Sequence, residues 1–132
     1  MRNKIFFFLI FFVFQFEVLL ADQFKFESSE IKIVNNGNLI LADKGKATSI
    51  DDKIEINAKN FEYQKNIDLL KAYDGVALLK DREIKINFKE IEFDQKNLVI
   101  NAKNDIKILD LKNKFSIETN SIFFNQKKNL IK

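Results

Sequence analysis

The sequence repeats itself with a period of thirty residues. Alanine occurs at Ala42, Ala72 and Ala102, and the residues around each alanine fall into the same register. A triplet with apolar ends recurs at residues 24–26, 54–56, 84–86 and, one residue late, 115–117, and a second such triplet begins seven residues after each first one. Four copies of so short a unit indicate stacked supersecondary elements, because one copy cannot bury its own apolar face.

The apolar residues of each copy follow the period of a β-strand. They alternate with Lys, Glu or Asn, as in Ile84-Lys85-Ile86, which is typical of a strand with one buried face. The intervening segments are rich in Asn, Asp, Gly and Lys, and Asp43–Gly45 and Asp74–Gly75 are suited to tight turns. No segment after the first twenty residues keeps the spacing of an amphipathic helix. The sequence therefore predicts an all-β sandwich, roll or solenoid.

Composition excludes most enzyme classes. The chain of 132 residues, long enough for one domain, contains no Cys and no His, so it lacks the commonest nucleophile, general base and soft metal ligands. The formal net charge is +3, but the lysines alternate with apolar residues along strands and form no basic cluster. We therefore expect a protein that is not an enzyme, has no cofactor or metal, and does not bind nucleic acid.

The first 21 residues have the layout of a secretory signal peptide. Arg2 and Lys4 precede an unbroken apolar run of ten residues, Ile5–Phe14. The run is about half as long as a membrane-spanning helix, and Glu17 would be costly at membrane depth. We predict a signal peptide at 1–21, cleaved after Ala21, and a domain at 22–132 with no integral membrane span. An uncleaved anchor is the alternative, because Leu19 is bulky for a position near a cleavage site.

We expect each pair of apolar residues to lie beside its equivalent in the next copy, so that the inward apolar side chains form columns. The first column consists of Phe26, Ile56, Ile86 and Ile117, and the second consists of Ile33, Tyr63, Phe93 and Phe124. The repeated alanines form a third, narrower column. These residues either pack the core of a sandwich or, where the layers splay apart, line an apolar groove suited to acyl chains.

The last copy ends close to Lys132 with no capping segment. Exposed edge strands pair readily with other chains, so this predicts edge-to-edge association with a similar domain. The alternative is a truncated reading frame whose next residues complete the fold.

The repeated residues resemble the organic-solvent-tolerance (OstA-like) N-terminal family, the bridge domains of lipopolysaccharide transport. Ile54–Ala58, Phe61–Gln64 and Ala72–Leu78 carry the likeness, and Ala42–Ala47 gives the last of these elements one copy earlier. The third copy departs from the pattern, since Asp105 stands where glycine is expected. The resemblance spans Phe24 to Leu130.

The resemblance implies a V-shaped β-jellyroll in the periplasm, in some members associated with the outer membrane. Its groove would hold the acyl chains of lipid A, with the eight column residues facing lipid or core, and its edge strands would stack on other jellyroll domains. Three placements remain open: a free bridge subunit, the N-terminal part of the outer-membrane translocon, and an inner-membrane accessory. A secreted structural or adhesive β-solenoid with a dry core and no ligand is the competing class.

Overall fold

The computed structural model describes residues 17–20, 23–51 and 53–132. They form nine strands that pair antiparallel in chain order, β1 to β9, in one open sheet. The predicted all-β class is confirmed. The strands are β1 (Glu17–Leu20), β2 (Phe24–Val34), β3 (Leu39–Ser49), β4 (Ile54–Gln64), β5 (Leu69–Leu79), β6 (Ile84–Asp94), β7 (Val99–Asp110), β8 (Phe115–Asn125) and β9 (Leu130–Ile131). Short 3-10 turns at Asn35–Gly37, Lys65–Ile67 and Lys80–Arg82 join three of the strand pairs.

The sequence repeat corresponds to two consecutive strands. Both apolar triplets of a copy lie in one strand, as residues 54–56 and 61–63 do in β4. An odd-numbered strand lies between the equivalent strands of successive copies: Phe26 of β2 pairs with Ala47 of β3, and Ala47 pairs with Ile56 of β4. The expectation that equivalent residues of successive copies are neighbours is therefore wrong, because a hairpin repeat places them two strands apart.

The four long strands β3, β4, β5 and β6 each change their buried face near the middle. In β4 the buried residues are even-numbered as far as Ala58 and odd-numbered from Phe61 onward, and Lys59 and Asn60 between them are exposed. Strict alternation keeps one parity on one face of a flat strand. The change of parity therefore shows that the strand bends, so that both of its ends direct apolar side chains to the same interior.

Left-handed residues mark the bends of the odd-numbered strands. Lys44 in β3 and Asp74 in β5 have φ angles of 43° and 52°, and both lie in mid-strand. The predicted tight turns at Asp43–Gly45 and Asp74–Gly75 are therefore bends within strands, since their flanking residues remain paired with both neighbouring strands.

The bends divide the sheet into two half-sheets that face each other. Half-sheet A contains β1, the first halves of β2, β4, β6 and β8, and the second halves of β3, β5 and β7. Half-sheet B contains the other halves and β9. The Phe24 ring of half-sheet A contacts Tyr63 and Phe93 of half-sheet B, with centroids 5.7 Å apart in both pairs. The hydrophobic core therefore lies between the two half-sheets.

Glycines follow the bends of β3 and β5 because the neighbouring backbone is very close. A Cβ at Gly45 would lie 2.7 Å from the Ser28 Cα, and a Cβ at Gly75 would lie 2.8 Å from the Ala58 Cα. Either atom would also overlap a backbone carbonyl of the preceding strand. A side chain at these positions would push two strands apart at the point where both bend.

In the third copy, β7 has a β-bulge at the bend where β3 and β5 have a glycine. Both Asn104 and Asp105 have positive φ, and the register of β7 shifts by one residue against β6 and against β8. The extra residue explains why the fourth copy is one residue late, and it makes Ile106 the counterpart of Gly75. The expectation that Asp105 stands in the glycine position is therefore wrong, because the register places Ile106 there. The bulge lets the buried Ile106 occupy that position.

Candidate functional site

Six of the eight predicted site residues are buried between the half-sheets, each no more than 3% exposed. They are Phe26, Ile56, Tyr63, Ile86, Phe93 and Phe124. The aromatic rings among them contact other rings of the core: the Phe26 ring centroid lies 6.0 Å from those of Phe61 and Tyr63, and the Tyr63 and Phe93 centroids each lie 5.7 Å from that of Phe24. This part of the interior is packed with protein atoms.

The other two predicted residues, Ile33 and Ile117, are 57% and 49% exposed. Each is nevertheless on the inner side of its strand, because Ile33 pairs with the buried Ile40 and Ile117 pairs with Ile108, which packs against the core. Ile33 lies at the β2 end of half-sheet B, and Ile117 at the β8 end of half-sheet A. The inner surface is thus open at two diagonally opposite places.

An offset between the half-sheets causes this exposure. Phe24 is on β2, yet its ring partners Tyr63 and Phe93 are on β4 and β6. The first half of β2 therefore lies opposite strands of half-sheet B that come two and four places later. At β8 the described part of the chain has no later long strand to cover half-sheet A, and Phe115 and Ile117 are left 50% and 49% exposed.

One inward row of side chains crosses all of half-sheet A. Each member is directly paired with the next, and the row, called here the A row, begins on β1 and ends on β8. It consists of Leu19, Phe26, Ala47, Ile56, Ala77, Ile86, Ile108 and Ile117. The repeated small residues Ala47 and Ala77 alternate with large ones, which leaves room for the rings of the facing half-sheet.

A small cavity of about 70 Å³ lies at one end of the interior, among the strand connections. Apolar residues such as Phe93 and Phe124 line it, and the guanidinium carbon of Arg82 lies 4.6 Å from the Phe124 ring centroid. Gln95 Oε1 is buried there without a hydrogen-bond partner in the described part of the chain. The cavity is far smaller than the roughly 300–1,000 Å³ of typical ligand pockets, so it is too small to enclose a ligand of ordinary size.

Asp51 lines the same cavity and is held as a carboxylate. Burial raises the pKa of Asp51, but hydrogen bonds from the Ser49 hydroxyl (2.6 Å) and the Lys53 amide (3.2 Å) outweigh it and leave the pKa below its ordinary value. Ser49 also accepts a hydrogen bond from the amide of Ile54 at 3.0 Å. This network fixes the connection between β3 and β4.

The outer faces of the half-sheets carry paired charges. Lys71 and Glu92 are directly opposite each other on β5 and β6, with Lys71 Nζ 3.6 Å from Glu92 Oε1, and Lys46 and Lys25 both approach Glu27.

Within residues 17–20, 23–51 and 53–132, no helix is long and apolar enough to cross a membrane, and no group of acidic side chains could hold a metal ion. The distinctive surface is therefore the open inner face rather than a charged one.

Phe24 and Phe115 are two inner residues that sequence analysis did not name as site residues. Phe24 is fully buried and contacts both half-sheets, and Phe115 is at the open end next to Ile117. Both start the first apolar triplet of their copies, so the repeat itself was the signal that could have identified them.

No protein-family model matches this sequence, and no curated protein matches it significantly. The resemblance to the bridge family rests on the repeated residues of the chain.

Proposed function

We propose that this chain is a periplasmic lipid-binding bridge domain of lipopolysaccharide transport and outer-membrane assembly. In this proposal the folded sheet is a β-jellyroll of the OstA-like kind, whose apolar inner faces shield the acyl chains of lipid A from water. Its edge strands stack on similar domains. It moves no lipid by itself, and a partner supplies the driving force.

One observation supports this function above all. The inner face of half-sheet A continues beyond the facing half-sheet, and it exposes Phe115 and Ile117 beside Ile108. Exposed apolar surface of this kind is typical of ligand or partner sites. Each acyl methylene buried there contributes about 0.8 kcal/mol, so a chain of about a dozen carbons would gain enough to remain bound.

Photo-crosslinking in cells tests the proposal. A photoreactive amino acid replacing Ile117 should form adducts with lipopolysaccharide, because this side chain is on the open inner face. The same amino acid replacing Ser116 is the matched control, since Ser116 is exposed on the outer face of the same strand. A second probe replacing Phe93 reports whether lipid enters the packed interior. Absence of adducts from both Ile117 and Phe93 would contradict lipid binding.

The contacts between Phe24, Tyr63 and Phe93 favour the second candidate, a structural or adhesive β-solenoid with a dry core. It predicts that no lipid adduct forms at any inner position and that delipidation leaves the melting temperature unchanged. The Ile117 probe separates the two functions directly.

A further inference from the structure

The strand connections of the two half-sheets meet on the side away from the bends. Rim A denotes the connections that follow β3, β5 and β7, and rim B denotes those that follow β2, β4, β6 and β8. Both rims line the cavity of about 70 Å³, with Asp81 and Arg82 from rim A and Gln95 and Leu98 from rim B. The line along which the rims meet is called here the seam.

Backbone hydrogen bonds join the connections within each rim. In rim A the Lys80 amide donates to the Lys53 carbonyl, and in rim B the Gln126 amide donates to the Leu98 carbonyl, both at 2.9 Å. In the part of the chain that the structure describes, no backbone hydrogen bond runs from one rim to the other. At the bends, by contrast, each long strand passes from one half-sheet into the other. The seam is therefore held by side chains, whereas the bends are held by the chain itself.

Arg82 lies at the seam and is of a residue type that this sequence hardly uses. Of the 22 basic residues only Arg2 and Arg82 are arginines, and the others are lysines. The guanidinium carbon of Arg82 lies 4.6 Å from the centroid of the Phe124 ring, which belongs to half-sheet B. A guanidinium stacks on an aromatic ring better than an ammonium does, because it is planar and more weakly hydrated. Arg82 is therefore well suited to join rim A to the opposite half-sheet.

The seam is packed less tightly than the core beside it. Gln95 Oε1 is buried there without a hydrogen-bond partner among the described residues, and the cavity leaves part of the apolar lining without contacts. Lining atoms that face a void lose attractive contacts and contribute less to holding two surfaces together. Phe93, which also lines the cavity, contacts Phe24 of the opposite half-sheet. Separation of the half-sheets would therefore start at the seam and reach Phe93 first.

We propose that Arg82 holds the seam closed by stacking on Phe124, and that the half-sheets separate there, about the bends, when this contact is lost. The contact and the opening belong to the fold and go beyond the proposed function. Only the identity of a molecule that enters rests on that function: an acyl chain could reach Phe93 through the opened seam.

Labelling of single cysteines measures the opening, since the natural chain has no cysteine. In the full chain, Leu79→Cys places a thiol in the cavity lining at a position that is 5% exposed. Adding Arg82→Gln should speed its reaction with a thiol reagent about two- to fivefold, as expected for the loss of one exposed cation–π contact. Ala42→Cys places a buried thiol beside the bend of β3 instead, and its labelling should not change, because a local opening leaves the bends closed.

Lys112→Gln is the matched control. It removes the same charge at an exposed position in the next connection of rim A, and it should leave the labelling of Leu79→Cys unchanged. Arg82→Lys keeps the charge but not the planar group, so it should give an intermediate rate. Equal acceleration at Leu79→Cys and Ala42→Cys would indicate general destabilisation and would overturn the proposal. No acceleration at Leu79→Cys, or equal effects of Arg82→Gln and Lys112→Gln, would overturn it as well.

A variant of the ring makes the test specific to the contact. Phe124→Leu keeps an apolar side chain but removes the ring on which the guanidinium stacks. In this background Arg82→Gln should no longer speed the labelling of Leu79→Cys, because the two substitutions act on one interaction. An undiminished effect of Arg82→Gln would show that Arg82 does not act through Phe124 and would overturn the proposal.

Photo-crosslinking separates the seam from lipid binding. With Arg82→Gln, a photoreactive amino acid replacing Phe93 should form more adducts with lipopolysaccharide, and the same probe replacing Ile117 should form as many as before. Faster labelling of Leu79→Cys with no adduct at either probe would keep the seam contact and reject the lipid function. Adducts at Ile117 with unchanged labelling of Leu79→Cys would reject the seam contact and keep the lipid function.

Discussion

Phe24 and Phe93 meet edge to face in the core, with ring centroids 5.7 Å apart and ring planes at 84°. Phe24 belongs to the first copy of the repeat and to half-sheet A, and Phe93 belongs to the third copy and to half-sheet B. The contact therefore joins both half-sheets and distant parts of the chain.

Replacing Phe24 should strongly destabilise the fold. Phe24→Ala should lower the free energy of unfolding by about 3–5 kcal/mol, because it removes a fully buried ring and leaves a cavity between the half-sheets. Urea denaturation measures the change. Phe115→Ala is the control, since its ring is 50% exposed, and it should cost less than about 1 kcal/mol. Equal losses from the two variants would contradict the offset packing described above.

Gly75→Ala tests the close approach of the strands at the bend. The added Cβ would lie 2.8 Å from the Ala58 Cα and would overlap the Asn57 carbonyl, so we expect a loss of about 1–3 kcal/mol in unfolding free energy. Gly37→Asn is the comparison, because nothing lies within 4 Å of a Cβ at Gly37 and asparagine tolerates its left-handed φ. If the Gly75 variant were as stable as the Gly37 variant, the strands at the bend would have room for a Cβ atom, which would contradict the close approach.

Deleting Asn104 tests the β-bulge. The deletion restores the thirty-residue spacing but removes the bulge that lets Ile106 occupy the position of Gly75, so the Ile106 side chain should clash with the neighbouring strand as a side chain at Gly75 would. We expect the melting temperature to fall by several degrees, as an overpacking loss of about 1–3 kcal/mol would cause. Combining the deletion with Ile106→Gly should recover much of that loss. If the deletion alone is neutral, Ile106 does not need the bulge.

Stability should also fall in acid because of two strand-end aspartates. Asn97 donates to Asp94 from its side chain (2.7 Å) and its backbone amide (2.9 Å), and these bonds lower the pKa of Asp94. Asp110 has a lowered pKa because of the backbone amide of Asn113 (2.7 Å) and its side-chain amide (2.9 Å). A pKa that is lower in the folded chain gives stability above the ordinary aspartate pKa, and that stability is lost as the pH falls through the folded values.

The melting temperature should accordingly decrease as the pH drops below about 4. The double variant Asp94→Asn, Asp110→Asn should be less stable than the natural chain at neutral pH and should show a shallower acid decrease. Asp105→Asn, at an exposed carboxylate in the bulge, is the control and should keep the natural slope. Identical acid slopes in all three proteins would show that the two strand-end aspartates contribute nothing.

Several features of the fold could be predicted because they depend on local chemistry. Alternation of Ile and Phe with Lys and Glu marked β2, β4 and β6, and the repeat marked the inward residues Phe26, Ile56 and Ile86, all of which are buried. The one-residue delay before Phe115 was visible in the sequence as well. Its cause was not, because a register shift is a property of two paired strands.

The sequence by itself determined the strands, their period and the inward positions, since side-chain alternation along a strand is fixed by its pleat. The tertiary structure decided that Asp43–Gly45 bends a strand instead of ending it, and that Ile106 replaces a glycine. It also decided that Ile33 and Ile117 are exposed to solvent while Tyr63 and Phe93 are buried. The physical reason is the offset between the half-sheets: burial depends on what lies opposite a residue, and the repeat gives every copy the same apolar side chains whether or not another layer covers them.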